Sequence, residues 1–281
     1  MMTTEHPWLP KTSCTQECVQ ALLGYPGPRT LAAIRATRRI LTTVLVLTAL
    51  PVLALPMPGR TQAKKIFCRA VLRCLGIRLT ISGGPIRNLQ GMLVVSNHVS
   101  WVDVFAIGAV LPGSFVARAD LVDWPAVGWA ARMANIIPIE RRSLRTLPSV
   151  VDTVVDRLRD GQTVVAFPEG TTHCGPDHGG FRPALFQAAI EATRPVQPLR
   201  LTYHHRDGSP STATAFLGED SLWSSIKRIA VARRTVVHVQ LRSLQLPTAG
   251  RSALSALCEV AVHPESGGVP RFGPTAYPVG A

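Results

Sequence analysis

The chain has 281 residues, 46% of them hydrophobic, which is enough to bury the core of one large domain or of one domain with an appendage. Its 30 lysines and arginines outnumber 17 acidic residues, and this excess indicates an anionic partner. Nucleic acid fits poorly, because the sequence has no recognised binding motif, only three tyrosines and eight phenylalanines, and cations interleaved with aliphatic residues.

The N-terminal part is both basic and apolar. No acidic residue occurs from position 19 to position 102. Within this stretch, "ILTTVLVLTALPVLALPM" (40–57) carries no charge and approaches the roughly 20 apolar residues that span a bilayer, although Pro51 and Pro56 interrupt its helix. We predict a membrane-embedded segment, spanning or re-entrant, with an internal core helix as the alternative. A cleaved signal peptide fits poorly, because no small-residue cleavage site directly follows the stretch.

The next segment, "KKIFCRAVLRCLG" (64–76), has the pattern of a basic amphipathic helix, since Lys65, Arg69 and Arg73 recur at every fourth residue. Such a helix lies well in the headgroup layer of an anionic leaflet, and an ordinary surface helix fits the pattern equally. The six cysteines form no Cys-x-x-Cys pair and no zinc-binding spacing. We therefore expect reduced thiols and a cytosolic setting.

The rest of the chain alternates short apolar runs with helical patterns, and residues 1–28 and 261–281 are expected to be loose. Strands are predicted at 77–82, 92–96, 114–118, 135–140, 162–167, 196–203 and 235–241. Helices are predicted at 147–161, after Asp123, at 183–192 and at 221–232. This alternation predicts an α/β fold, with a mixed, mostly parallel sheet covered by helices and an N-terminal membrane-associated helical segment. We assign 1–75 to that segment, 76–245 to the main domain and 246–281 to a flexible tail.

"SNHVSWVD" (96–103) places a histidine and an aspartate directly after a predicted buried strand. On one continuous helix, His98 and Asp103 would point about 140° apart and could not touch. They can meet if His98 lies in the turn and the helix begins near Ser100. The aspartate would then fix the imidazole tautomer and leave the other ring nitrogen free to accept a proton.

Two other predicted strand ends carry polar residues. "VVAFPEGTT" (164–172) delivers Glu169, Gly170 and Thr171 into a loop, where glycine lets backbone N–H groups approach a ligand. "IIPIERR" (136–142) presents Arg141 and its neighbour, planar donors suited to phosphate. Each signal alone is more often structural: a hydrogen bond, a turn or a solvated edge. The combination at three strand ends favours a functional site.

These blocks resemble the glycerolipid acyltransferase family, whose members include 1-acylglycerol-3-phosphate acyltransferases. That family carries a histidine and an aspartate separated by four residues, as in "NHVSWVD", and a Phe-Pro-Glu-Gly-Thr block, here Phe167 to Thr171. Between them lie a basic strand end, here "FVARADL" with Arg118, and an Ile-x-Arg element, here Ile139 to Arg141. A later "PVQPLRL" (195–201) also matches, and the resemblance covers about residues 76 to 245.

The resemblance implies that His98 is the general base and Asp103 its partner, with Arg118, Arg141, Glu169, Gly170 and Thr171 binding substrate. The implied reaction moves an acyl group from coenzyme A or acyl carrier protein to a lysolipid at the cell membrane, with the catalytic domain on the cytoplasmic face and no cofactor. We expect the tetrahedral oxyanion near backbone N–H groups of the Gly170 loop. The family often has Arg-Ser where this chain has Thr172 and His173, which leaves the headgroup open between lysophosphatidic acid and another lysolipid, such as lyso-ornithine lipid.

Two other functions compete with this prediction. In "THCGPDHGG", His173, Cys174, Asp177 and His178 could bind a metal together with His98, as in a metal hydrolase. We favour a solvated glycine-rich loop, and so expect no metal. A non-catalytic membrane scaffold with the same fold is the other alternative, although a scaffold has no need for a general base.

Overall fold

The computed structural model describes residues 10–54, 58–84, 89–120, 128, 135–140, 143–218, 220–247 and 250–264. Its helices are α1 (Gln16–Ala21), α2 (Arg29–Leu47), α3 (Arg60–Cys74), α4 (Asp103–Gly108), α5 (Leu147–Arg159), α6 (Phe186–Glu191), α7 (Leu222–Val231) and α8 (Arg251–Val262). Short 3-10 turns occupy Leu50–Ala54 and Leu144–Thr146. The strands are β1 (Ile77–Gly83), β2 (Leu93–Ser96), β3 (Ser114–Arg118), β4 (Ile137–Ile139), β5 (Val164–Ala166), β6 (Val196–His205) and β7 (Thr235–Leu241).

The strands form one sheet in the order β1-β7-β6-β2-β5-β3-β4. Neighbours run parallel except β6 and β7, which are antiparallel. Leu93 and Val95 of β2 face one hydrophobic core and Val94 faces the other, so both faces of the sheet are covered. The predicted α/β class with a mixed, mostly parallel sheet is therefore confirmed. Every predicted strand is present, β3 and β7 with the predicted bounds and the others with shifted ends.

The helix predictions at 147–161, 183–192 and 221–232 correspond to α5, α6 and α7. In α5, the predicted apolar face is the buried one, which includes Val150, Val154 and Leu158. The basic segment 64–76 lies mostly within α3. The helix predicted after Asp123 lies outside the described residues, apart from Gly128. Periodicity thus located three of the described helices.

The apolar stretch 40–57 does not form one straight helix. α2 ends at Leu47, and a 3-10 turn follows at Leu50–Ala54, the region interrupted by Pro51. None of the helices described has the length and hydropathy needed to cross a bilayer.

The predicted flexible tail, 246–281, is wrong for its first part. Residues 251–262 form α8, which buries Leu254, Cys258 and Val262 in the core shared with α6. Because these three residues recur at every fourth position, they lie on one face of the helix, and that face is buried. The packed unit therefore continues to Val262, beyond the expected boundary at residue 245, while residues 265–281 are outside the described chain.

The expectation that residues 1–28 are loose is also wrong for their described part. Val19 of α1 is 1% exposed and belongs to the main core. Its carbonyl accepts a hydrogen bond of 2.6 Å from the Thr212 hydroxyl, and the Leu22 carbonyl accepts from the His205 ring. Segment 10–28 is thus packed against the domain.

Two cations of the basic stretch bind the protein itself. Arg39 of α2 is buried, and its Nη1 donates to the carbonyls of Ile229, Ala230 and Ala232 at the end of α7, at 3.1, 3.2 and 2.7 Å. Arg35 donates to the Val231 carbonyl at 2.7 Å. A helix C-terminus carries unsatisfied carbonyls and partial negative charge, so these arginines stabilise it. Part of the charge that indicated an external anion is therefore structural.

Arg39→Met is expected to lower the free energy of unfolding by about 2–3 kcal/mol, because it leaves buried carbonyls without their charged donor. Urea denaturation followed by circular dichroism would measure the loss. Arg38→Met is the control, since Arg38 is exposed on the same helix and should change stability little. Equal midpoints for the two variants would contradict the structural role of Arg39.

Candidate active site

His98 and Asp103 are in contact at the end of β2. His98 Nδ1 lies 2.8 Å from Asp103 Oδ2. The chain turns between β2, which ends at Ser96, and α4, which begins at Asp103. The predicted geometry is therefore present: the histidine lies in the turn, and the aspartate lies on the first turn of the helix. His98 keeps 16% of its side chain exposed, whereas Asp103 is fully buried.

Asn97 explains why the chain turns at this point. Its side-chain amide donates to the Leu201 carbonyl at 2.9 Å and accepts from the Leu201 N–H at 2.8 Å. The side chain thus takes the place of a backbone pairing between β2 and β6, while the backbone itself leaves the sheet. His98, the next residue, is fixed directly above the strand end.

The Asp103 carboxylate is held by four donors. Besides His98, Oδ2 accepts from the backbone N–H groups of Val99 and Ser100 at 2.7 and 2.8 Å, and Oδ1 accepts from the Tyr203 hydroxyl at 2.5 Å. Burial, and then the nearby carboxylate of Asp103, raise the pKa of Tyr203, so this hydroxyl remains protonated and donates. The four contacts orient Asp103 so that one imidazole nitrogen is bound and the other, Nε2, is left for substrate.

Tyr203→Phe is expected to lower kcat about tenfold with little change in KM, because Tyr203 acts through Asp103. Without this donor, the carboxylate orients the imidazole less firmly, so the chemical step should slow while substrate binding is kept. Tyr25→Phe, at an exposed tyrosine, is the matched control. A Tyr203→Phe enzyme that loses stability while keeping the wild-type kcat and KM would show a packing role alone.

Glu169 follows β5 and contacts the backbone of the histidine. Its Oε2 accepts from the His98 N–H at 3.0 Å, and its Oε1 lies 3.2 Å from His263 Nε2. Burial raises the pKa of Glu169 to about 7, and burial lowers the pKa of His263 to about 4. Both carboxyl oxygens face protein groups, so in this arrangement Glu169 positions His98 rather than facing a ligand.

The loop after β5 surrounds the imidazole. The Phe167 ring stacks on His98 with centroids 3.9 Å apart, and His173 N–H donates to the His98 carbonyl at 2.8 Å. Gly170 has a φ of 75° and its N–H donates to the Phe167 carbonyl at 3.0 Å, which closes the turn. This N–H is therefore already engaged, which weakens the expectation that it binds an oxyanion. Thr171 comes next and is half-buried.

The arginines lie on neighbouring strands. Arg118 ends β3, is half-exposed, and pairs with Asp120, with its Nε 2.9 Å from Oδ1. Arg141 lies outside the described residues. Ile139, two residues before it, is paired in register with Arg118 at the end of β4. The structure thus brings together His98, Asp103, Glu169 and the Gly170 turn, and leaves the contribution of the arginines as a prediction.

Sequence reasoning missed Tyr203 and His263. Both reach the site from elements more distant along the chain, β6 and the end of α8, and each contacts one carboxylate of the predicted set. Spacing along the chain carries no signal for such contacts. A buried carboxylate without a partner in sequence is the only hint that remote donors exist.

Comparisons with known proteins show what this chain is similar to. The model of the acyltransferase family matches residues 78–202. The lyso-ornithine lipid O-acyltransferase of Pseudomonas aeruginosa is 34% identical over 184 residues, covering 66% of this chain and 70% of that protein. The 1-acyl-sn-glycerol-3-phosphate acyltransferase of Neisseria meningitidis serogroup B is 34% identical over 181 residues, covering 64% and 71%. The crystal structure of the corresponding Thermotoga maritima enzyme superposes with a TM-score of 0.48 at 19% identity, covering 84% of this chain and 100% of that one.

Proposed function

The chain belongs to the glycerolipid acyltransferase family, and from that premise we propose that it transfers a fatty acyl group from an acyl thioester to the free hydroxyl of a lysolipid. The observation that carries the proposal is the contact between His98 Nδ1 and the buried Asp103 carboxylate at 2.8 Å. It holds the imidazole in the tautomer whose Nε2 accepts a proton.

In the proposed reaction, His98 Nε2 removes the proton of the lysolipid hydroxyl as the oxygen attacks the thioester carbonyl. Asp103 stabilises the imidazolium that forms. The tetrahedral intermediate then collapses, the carbon–sulfur bond breaks, and the imidazolium returns its proton to the departing thiolate. Acyl transfer is direct, so no serine or cysteine acyl-enzyme is needed.

Lysophosphatidic acid, converted to phosphatidic acid, is the acceptor we propose first. Arg118 and Arg141 would bind its phosphate, as planar donors suited to phosphate oxygens. Lyso-ornithine lipid is the alternative, because the two similar enzymes named above carry the two acceptors in their names at the same 34% identity. The donor is an acyl thioester of coenzyme A or of acyl carrier protein, and no further cofactor is required.

We also propose that the protein works at the cell membrane, with its catalytic domain on the cytoplasmic face. Helices α2 and α3 of the N-terminal region expose apolar side chains beside cations: Leu41, Val44 and Leu45 on α2, and Ile66 on α3. Such surfaces favour insertion into the headgroup and upper acyl layer of an anionic leaflet. The six free cysteines suit a reducing compartment.

A panel assay tests the function. Purified protein in detergent micelles is given labelled acyl-coenzyme A or acyl-acyl carrier protein with lysophosphatidic acid, lyso-ornithine lipid or a neutral lysolipid, and products are identified by mass spectrometry. Phosphatidic acid as the main product supports the first acceptor, and an acylated ornithine lipid supports the second. The absence of acylated product with every acceptor and both donors would favour the non-catalytic scaffold.

A further inference from the structure

A second polar cluster lies beside the site, at the junction of the N-terminal segment and the loop after β5. It contains Cys14, His173 and Asp177, whose potential ligand atoms all lie within 4.8 Å of one another. Cys14 lies 160 residues before Cys174, whose backbone N–H contacts its sulfur. The reaction proposed above uses none of these three side chains.

The three side chains suit a metal ion. Cys14 Sγ accepts a hydrogen bond of 3.2 Å from the Cys174 N–H and donates one of 3.5 Å to Asp177 Oδ2, so the sulfur and the carboxylate already face each other. His173 is 3% exposed, and its Nε2 has no hydrogen-bond partner among the described residues, a state that costs free energy. Its Nδ1 lies 3.3 Å from the Thr12 hydroxyl.

We propose that Cys14, His173 and Asp177 bind one divalent cation of borderline softness, zinc foremost. Thiolate sulfur, imidazole nitrogen and carboxylate oxygen are the donor types that zinc prefers, and water completes a tetrahedral set. A hard cation such as magnesium is disfavoured, because it selects oxygen donors. Binding releases the thiol proton of Cys14.

The cation would act as a structural clamp. It would join the segment that contains Thr12 and Cys14 to the loop at His173, whose backbone N–H holds the His98 carbonyl at 2.8 Å. The ligands are distinct from the His98–Asp103 pair, so the metal does not take part in acyl transfer. The sequence does not indicate this set, because no local spacing pairs Cys14 with a residue so distant in the chain.

The test measures metal directly. Protein purified without chelator is expected to hold about one zinc ion per chain, measured by inductively coupled plasma mass spectrometry. Its melting temperature should fall when a chelator removes the zinc. Cobalt-substituted protein should show a thiolate-to-cobalt charge-transfer band. Cys14→Ser and Asp177→Asn should lower zinc content and abolish the effect of chelator, and Cys14→Ser should lose the band. Cys18→Ser is the control, since Cys18 is an exposed thiol in the same segment.

Two results would overturn the proposal. One is a wild-type protein that, after equilibration with zinc and dialysis, retains no metal and shows an unchanged melting temperature. The other is a Cys14→Ser protein that retains as much zinc as Cys18→Ser. Circular dichroism establishes that each variant is folded. Neither readout depends on acyl transfer, so failure of this proposal and failure of the proposed function are separate outcomes.

Discussion

Replacing His98 with alanine is expected to lower kcat/KM for acyl transfer by about 10³-fold, near the middle of the range for loss of a general base. The variant removes the group that accepts the hydroxyl proton and leaves the Asp103 carboxylate with its donors from Val99, Ser100 and Tyr203. The fold should therefore survive. Initial rates with the acceptor identified by the panel assay would check the size of the loss.

His204→Ala is the matched control for this prediction. His204 lies on β6, and its ring contacts Thr202 and the Gly208 carbonyl, away from Asp103. Its removal should leave the rate within about twofold of wild type, as is usual for a substitution that touches no reacting group. Comparable rates for His98→Ala and the wild-type enzyme would make the His98–Asp103 contact a structural hydrogen bond and remove the basis of the mechanism.

The second large effect concerns the buried pair of Glu169 and His263. Burial raises the pKa of Glu169 from 4.5 to about 7, so the folded protein holds a proton that the unfolded chain has lost, and this group's contribution to stability falls as pH rises from about 4.5 to 7. Burial lowers the pKa of His263 from 6.5 to about 4, so its contribution rises as pH increases from about 4 to 6.5. These two changes of stability with pH have opposite signs. The free energy of unfolding of the wild-type protein should therefore depend little on the titration of this pair.

Single substitutions should expose the pH dependence of stability that each group contributes. His263→Gln leaves the buried carboxyl alone, so the free energy of unfolding should fall by up to about 3 kcal/mol between pH 4.5 and 7 relative to wild type. Glu169→Gln leaves the imidazole alone, so stability should rise with pH by a similar amount between about pH 4 and 6.5. Urea denaturation at a series of pH values would measure both.

The double variant provides the reference for this pair. Its free energy of unfolding should vary with pH nearly as little as that of wild type, because neither titrating group remains. The double variant should nevertheless be less stable at every pH. The other charged groups nearby, His98, His173 and His178 around Glu169, and Arg200 and Glu259 around His263, are the same in all four proteins and cancel in the comparison. Parallel pH curves for all four would show that the two groups titrate alike in folded and unfolded chains.

The sheet and the centre of the site could be predicted because their signals are local. Buried parallel strands such as β2 and β5 are continuous apolar runs, and these are visible in the sequence. The contact between His98 and Asp103 depends only on where one strand ends and one helix begins. For this reason five residues of spacing, together with a strand prediction, were enough to bring the two side chains together.

The parts of the fold and of the site that were not predicted depend on packing between segments that are distant in the chain. Tyr203, His263 and Cys14 reach the site from parts of the chain that no spacing relates to it. The excess of cations that includes Arg35 and Arg39 was interpreted as indicating an external anion, because their partner, the carbonyl end of α7, carries no acidic side chain that a sequence would reveal. Helix α8 was different, since its apolar period was present and was obscured by the Gly/Pro-rich residues that follow it.

The pairing of β1 with β7 has a consequence for biosynthesis. The Thr80 hydroxyl donates to the Val237 carbonyl, 157 residues later in the chain, and the two strands are in register along their full length. A ribosome makes the chain from the N-terminus at about 5–20 residues per second, so β1 waits on the order of ten seconds for its neighbour. During that interval β1 presents open N–H and C=O groups, and the basic helix α3 just before it is already made. Contact of the nascent N-terminal region with a membrane surface or a chaperone would protect this strand from aggregation until translation passes Leu241.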